Sequence, residues 1–90
     1  MKSIKRTKQF KKDIKRMQKQ GKNFGVLKQV IENLCQGQKL EDKYHDHKLR
    51  GNYRQFRECH LEPNWLLIYQ NTETAITLRR TGTHSELFKT

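Results

Sequence analysis

The spacing of apolar positions changes partway along the chain. Phe10, Ile14 and Met17 recur at helical intervals, between Thr7, a suitable N-cap, and Gly21, a suitable stop. That spacing predicts an amphipathic helix over about residues 8–20 and leaves room for a short edge strand at residues 1–6. Asn23 can cap a second helix, with Phe24, Leu27, Val30, Ile31 and Leu34 on one face and Gly37 at its end. So short a connection predicts an antiparallel helical hairpin. Residues 38–52 are polar and irregular and close on a Gly51-Asn52 turn signal. Beyond them the period shortens toward two. Tyr53 to Leu61 alternates loosely, Glu62-Pro63-Asn64 reads as a turn, and Trp65 to Gln70 is an apolar run suited to a central strand. Asn71-Thr72-Glu73 is a second turn, after which Ala75 to Arg80 places Ile76 and Leu78 on one face. The expected fold is a single α+β domain over residues 1–90. Two N-terminal antiparallel helices pack on a three-stranded antiparallel meander, with a short C-terminal helical turn.

Composition narrows the function. A chain of 90 residues, 32 % apolar and 32 % charged, buries one modest core, about 60–65 % of its unfolded surface. Its net charge is +11, and residues 1–22 carry ten Lys and Arg against one acid, Asp13. Such a field attracts nucleic acid, an anionic membrane or an acidic protein. The membrane is disfavoured, because the longest apolar run, Trp65 to Tyr69, is far shorter than the ~20 residues of a spanning helix. No apolar export segment develops after Met1, so the cytoplasm is the expected compartment. Cys35 and Cys59 are then expected as reduced thiols.

Pairing the strands through their turns brings candidate chemistry together. Joining Gln70 to Ala75 sets Trp65 opposite Arg80, and joining Leu61 to Trp65 sets His60 beside Leu66. His60, Asn64, Arg80 and the segment Thr81-Gly82-Thr83-His84 then converge at one end of the meander. Thr83 and Glu86 fit a capping box, which puts His84 at the first helical position, where free backbone N–H groups welcome a phosphate. Imidazoles suit RNA cleavage, since one must take the 2′-hydroxyl proton while another supplies one to the 5′-oxygen. A nearby cation such as Arg80 can stabilise charge gathering on phosphorus, and neither a metal nor another cofactor is required.

Three stretches also carry a family resemblance. They are Asp46-His47-Lys48-Leu49-Arg50-Gly51, then Phe56-Arg57-Glu58-Cys59-His60-Leu61-Glu62-Pro63-Asn64-Trp65-Leu66-Leu67-Ile68-Tyr69, and Arg80-Thr81-Gly82-Thr83-His84-Ser85-Glu86-Leu87-Phe88. In order and spacing they resemble the YafQ branch of the RelE/ParE toxin superfamily. The resemblance implies a RelE-like fold and a type II toxin held inactive by an acidic antitoxin. It implies cleavage of translated mRNA on the 70S ribosome, beside its 16S rRNA. It further implies catalytic roles for His47, His60 and His84, a phosphate contact for Arg80 and a base-positioning role for Phe88. One departure stands out: Asn64 replaces a usual aspartate, and an amide cannot titrate, so attenuated activity is one expectation.

Further RNA contacts are expected from Lys11 and Lys15 of the basic first helix, and from Lys48 and Arg50. Competing expectations are a ParE-like poison of DNA gyrase, and an RNA- or ribosome-binding module without catalysis. At the level of single residues, the four histidines offer a zinc site as an alternative, and Cys59 offers a nucleophile. Strand alternation favours core packing for Cys59, and Trp65 is expected in the core or stacked on a base. His45 matches nothing in the family and is expected to be solvent-exposed.

Overall fold

A computed structural model describes residues 1–88. Strand β1 (Ser3–Arg6) leads into helices α1 (Lys8–Lys19) and α2 (Phe24–Cys35). A 3-10 turn at Asp42–Tyr44, strand β2 (His47–Lys48) and a second 3-10 turn at Gly51–Tyr53 follow. Strands β3 (Arg57–Glu62), β4 (Trp65–Asn71) and β5 (Ala75–Gly82) then precede helix α3 (His84–Phe88).

Both long helices start where their caps predict. The Thr7 hydroxyl accepts from the Phe10 N–H at 3.0 Å, and Asn23 Oδ1 accepts from the Gly25 N–H at 2.9 Å. Gly21 and Gly37, just past the helix ends, take φ of 72° and 74°, which an L side chain resists. Helix α1 lies against β5, and α2 reaches β3 and β5.

The sheet has five strands in the order β1-β5-β4-β3-β2, which corrects the three-stranded meander. β1 is a parallel edge beside β5, whereas β2 is an antiparallel edge of two residues beside β3. Two residues cannot show a period, which hid β2 among polar sequence. The third strand from the C-terminal end begins at Arg57 rather than Tyr53, because residues 51–53 form a 3-10 turn.

Register was half right. His60 stands opposite Leu66 as expected, with a bulge before Glu62 pairs with Trp65. Across the next turn, however, Asn71 pairs with Ile76 and Gln70 with Thr77, and a bulge lies between Ile68 and Tyr69. Arg80 therefore faces Ile68, not Trp65, and Gly82 faces Leu66. The turn is centred one residue later and both strands run longer than the Asn71-Thr72-Glu73 signal suggested, so the pairing slides along the strand.

One face of this sheet is covered by apolar residues of the helices. Phe10, Met17, Leu27, Val30 and Leu34 meet Cys59, Leu61, Trp65, Leu67, Tyr69, Ile76 and Leu78 in a buried cluster. Trp65 is fully buried, edge-on to Phe24 at 5.9 Å, and its indole N–H donates to Thr81 Oγ1 at 2.8 Å. It is therefore core and unavailable for stacking on a base. Because strand side chains alternate, burying Cys59 and Leu61 sends Glu58 and His60 to the other face. Among the described residues, no helix is long and apolar enough to cross a membrane.

Candidate active site

Imidazoles from four separate positions gather where β3 ends and α3 begins. His60 faces Leu66, Leu66 faces Gly82, and the chain turns at Thr83 into α3, which carries His84 over His60. Their ring centroids are 5.6 Å apart. On the other side His47, opposite Glu58 in the β2–β3 pairing, lies 6.4 Å from His60. His45 joins the group as well, 5.6 Å from His60 and edge-on. It is solvent-exposed as expected, but it borders the site.

A buried carboxylate stands behind the rings. Glu58 Oε1 is 3.4 Å from His60 Nε2 and 3.8 Å from His47 Nε2, with its side chain only 8 % exposed. Either ring, once protonated, forms an ion pair with it. Imidazole exposure rises from 23 % at His60 to 51 % at His47, so His60 is the ring most withdrawn from bulk water.

His84 is locked by Asn64. The amide oxygen of Asn64 accepts from the His84 backbone N–H at 3.1 Å and lies 2.8 Å from His84 Nδ1. An oxygen facing that backbone N–H can only accept, so Nδ1 must carry a proton. In the neutral ring, Nε2 is then left with its lone pair free. The capping box forms as expected: the Thr83 N–H donates to Glu86 Oε1 at 2.8 Å, and the Glu86 N–H donates to Thr83 Oγ1 at 3.2 Å. Burial pushes the Glu86 carboxyl up, but the Thr83 N–H, Gln20 and Arg16 outweigh it and hold it below the ordinary range. The His84 N–H, expected to be free for a phosphate, is instead committed to Asn64.

The segment bearing His45 and His47 is fixed from below. Asp46 accepts from Arg57 Nε at 3.3 Å and Nη2 at 3.1 Å, and from the Tyr69 hydroxyl. The Asp46 carboxylate raises the Arg57 guanidinium above its usual value, and burial pushes the Tyr69 hydroxyl well up. His47 Nδ1 lies 2.7 Å from the His45 carbonyl oxygen, an acceptor, so that nitrogen donates. Its Nε2 is left facing Glu58.

The remaining candidates have their own surroundings. Arg80 spends its guanidinium on Asp13, Nε to Oδ2 at 2.9 Å and Nη2 to Oδ1 at 3.3 Å. Asp13 is fully buried and also accepts from Arg16, Gln9 and the Thr81 N–H. Burial pushes its carboxyl up, but Arg80, Arg16, Thr81 and Gln9 together hold it below the ordinary range. Lys11 and Lys15 line a groove between α1 and α2 that contains none of the imidazoles. Lys48 lines a polar cleft with Asp46 and Arg57, while Arg50 is exposed at the N-cap of the second 3-10 turn. Phe88 is 38 % exposed and lines a small hollow with Arg80, Phe56 and Ile68. Cys59 is buried and its thiol is pushed well up by burial, as befits a core residue; Cys35 is likewise buried and free.

Neither Glu58 nor Asp13 was marked by the sequence as a functional or structural partner, and His45 was expected only as an exposed residue or as part of a zinc alternative. A Glu on a strand carries no period of its own, and only its pairing with His47 across β2 reveals it. Asp13, the lone acid among ten cations, was the available signal for a buried ion pair.

Donor chemistry at the site also suits a metal ion. Glu58, His60 and His84 each offer one ligand atom, all within 4.8 Å of one another. Two nitrogens and a carboxylate suit ions such as copper, nickel or zinc.

Fold and site together define a small, basic α+β protein whose imidazole-lined rim is equipped to move protons beside a polyanion. Residues 2–89 match the family described as bacterial toxin of type II toxin-antitoxin system, YafQ. The chain is 40 % identical over 81 residues to the mRNA interferase toxin YafQ of Escherichia coli K12, covering 89 % of this chain and 88 % of that protein. The E. coli DinJ-YafQ toxin-antitoxin complex contains a chain superposing with a TM-score of 0.90 at 38 % identity, over 97 % of both. A metal-bound toxin from Helicobacter pylori superposes with a TM-score of 0.91 at 46 % identity, over 98 % of this chain and 100 % of that one. This chain belongs to the YafQ family of type II toxins.

Proposed function

We propose that the chain is an mRNA interferase, an endoribonuclease that cuts translated message on the ribosome and is restrained by an acidic antitoxin. The observation that carries this reading is the row of imidazoles with unequal partners. His84, held through Nδ1 by Asn64, presents Nε2 as the nitrogen that takes the 2′-hydroxyl proton. His60, ion-paired with Glu58 when protonated, is the matching donor to the departing 5′-oxygen. His47 shares Glu58 and helps hold that pair in place. Attack of the 2′-oxygen on phosphorus breaks the bond to the 5′-oxygen, giving a 2′,3′-cyclic phosphate and a 5′-hydroxyl. Arg80 contacts a phosphate from its seat on Asp13, and Phe88 positions a base. Lys48 and Arg50, and Lys11 and Lys15 on the separate helical groove, add phosphate or rRNA contacts, and the surplus of positive charge supports both an RNA and an acidic antitoxin as partners.

Asn64 supplies the hydrogen bond that orients His84 without supplying charge, so cleavage is retained but attenuated. Neither a gyrase-directed role nor binding without catalysis gives the paired imidazoles a task. Primer extension on a translated message tests the proposal: the native chain cuts, while His60→Ala and His84→Ala lose at least about a hundredfold. Undiminished cutting by both variants would refute it.

A second reading follows from the clustered donors. Glu58, His60 and His84 would hold a transition metal, which supplies Lewis acidity where it binds. Here it would occupy the very nitrogens that proton transfer needs, so a chelator should leave cleavage intact or raise it.

A further inference from the structure

A cavity of about 750 Å³ opens beside the imidazole row, within the size range of small-ligand sites. Val26 of α2 and Tyr44, Leu61 and Pro63 give it apolar walls, and His47 and His60 form the side nearest the proton-transfer groups. Lys43, 5.2 Å from the centroid of the Tyr44 ring, and Glu62, whose carboxylate is paired with Lys22 Nζ at 3.5 Å, also line it. His45 completes the wall in an unusual backbone state: φ 49° and ψ 43°, left-handed, in a residue with a Cβ. That conformation is disfavoured by roughly 1–2 kcal/mol. The His45 carbonyl receives His47 Nδ1 while its ring abuts His60.

We propose that this cavity is a nucleobase subsite, with Tyr44 and His45 as its positioning residues, taking the base of a nucleotide that adjoins the scissile phosphate. This rests on the reading of the rim as an RNA-cleaving site. The occupant must be flat and apolar enough for the walls, yet joined to an anion that Lys43 and the net charge of +11 attract. Of the parts of an RNA chain, only a base meets both conditions, since ribose and phosphate prefer water to Val26 and Pro63. Seating a base against His45 aligns the adjoining phosphate with His60 and His84.

The test uses isotope-labelled full-length protein and a trinucleotide methylated at every 2′-oxygen, which cannot be cut. Three further trinucleotides each lack one base. The intact oligomer should shift the resonances of Val26, Tyr44 and His45, and one of the three abasic oligomers should fail to do so. His45→Asn keeps a residue tolerant of the left-handed backbone but removes the ring. It should weaken the intact oligomer about tenfold, within what one stacked base contributes, and leave that abasic oligomer unchanged. Resonances of Val26, Tyr44 and His45 that ignore the intact oligomer, or move equally with all three abasic ones, would overturn the subsite. So would equal weakening of intact and abasic oligomers by His45→Asn. Catalysis plays no part in this readout. A native chain that shows base-dependent shifts but cuts no message would sink the cleavage reading and leave the subsite standing.

Discussion

Replacing Asp13 by asparagine removes one buried negative charge while preserving the side chain's shape. The native carboxylate accepts five hydrogen bonds, from Gln9 Nε2, Arg16 Nη1, Arg80 Nε and Nη2, and the Thr81 N–H. In the variant, an amide NH₂ must face a guanidinium or the backbone donor, and two cations lose their counter-charge. Breaking a buried pair on one side costs about 3–5 kcal/mol. Arg16 and Arg80 keep 33 % and 31 % of their side-chain exposure, so both can turn toward water. The expected loss therefore lies at the lower end, about 3 kcal/mol. For a domain of this size that lowers Tm by roughly 12–24 °C. Urea unfolding, followed by Trp65 fluorescence and by circular dichroism, measures it, with coincident transitions and an unchanged slope expected. A loss below about 1 kcal/mol would show the network to be a solvated surface pairing and refute the reasoning.

Other consequences are equally direct. Gly82→Ala would place a Cβ 2.6 Å from Arg16 Nη2, 3.0 Å from Glu86 Oε1 and 3.3 Å from a Leu87 methyl. It should destabilise by about 1–3 kcal/mol in urea and lower cleavage beyond the loss of folded protein. Thr83→Ala removes the acceptor of the Glu86 N–H and should cost about 1 kcal/mol in the same assay. Asn64→Ala frees the His84 ring and should reduce cleavage with the urea midpoint nearly unchanged, whereas Asn64→Asp should raise cleavage. Asp13 and Glu86 bind protons more weakly folded than unfolded, so their stabilisation is complete above the ordinary carboxylate range. It is lost as pH falls through their lowered folded values. The urea midpoint should fall below about pH 4, and fall less in Asp13→Asn.

Local chemistry was legible where it was encoded locally. The Thr7 and Asn23 caps, the Thr83–Glu86 box and the meeting of His60, Asn64 and His84 all follow from turns and spacings a few residues long. What escaped depends on pairings distant in sequence. β2 exists because residues 47–48 find β3; the edge strand expected at residues 1–6 does form, but its partner β5 lies seventy-odd positions away. The later turn and the β4–β5 bulge together set Arg80 opposite Ile68 instead of Trp65, and its guanidinium pairs with Asp13, neither of which a local pattern marks. Glu58 became visible only once β2 set His47 across from it, and His45 only once a left-handed residue turned its ring onto His60. Resemblance named His47, and geometry supplied its partner.

The most direct measurement is the chemical nature of the new RNA ends. If imidazoles pass protons to and from one ribose-phosphate link, the upstream fragment carries a 2′,3′-cyclic or 3′-phosphate and the downstream fragment a 5′-hydroxyl. A 3′-hydroxyl on the upstream fragment would contradict the account.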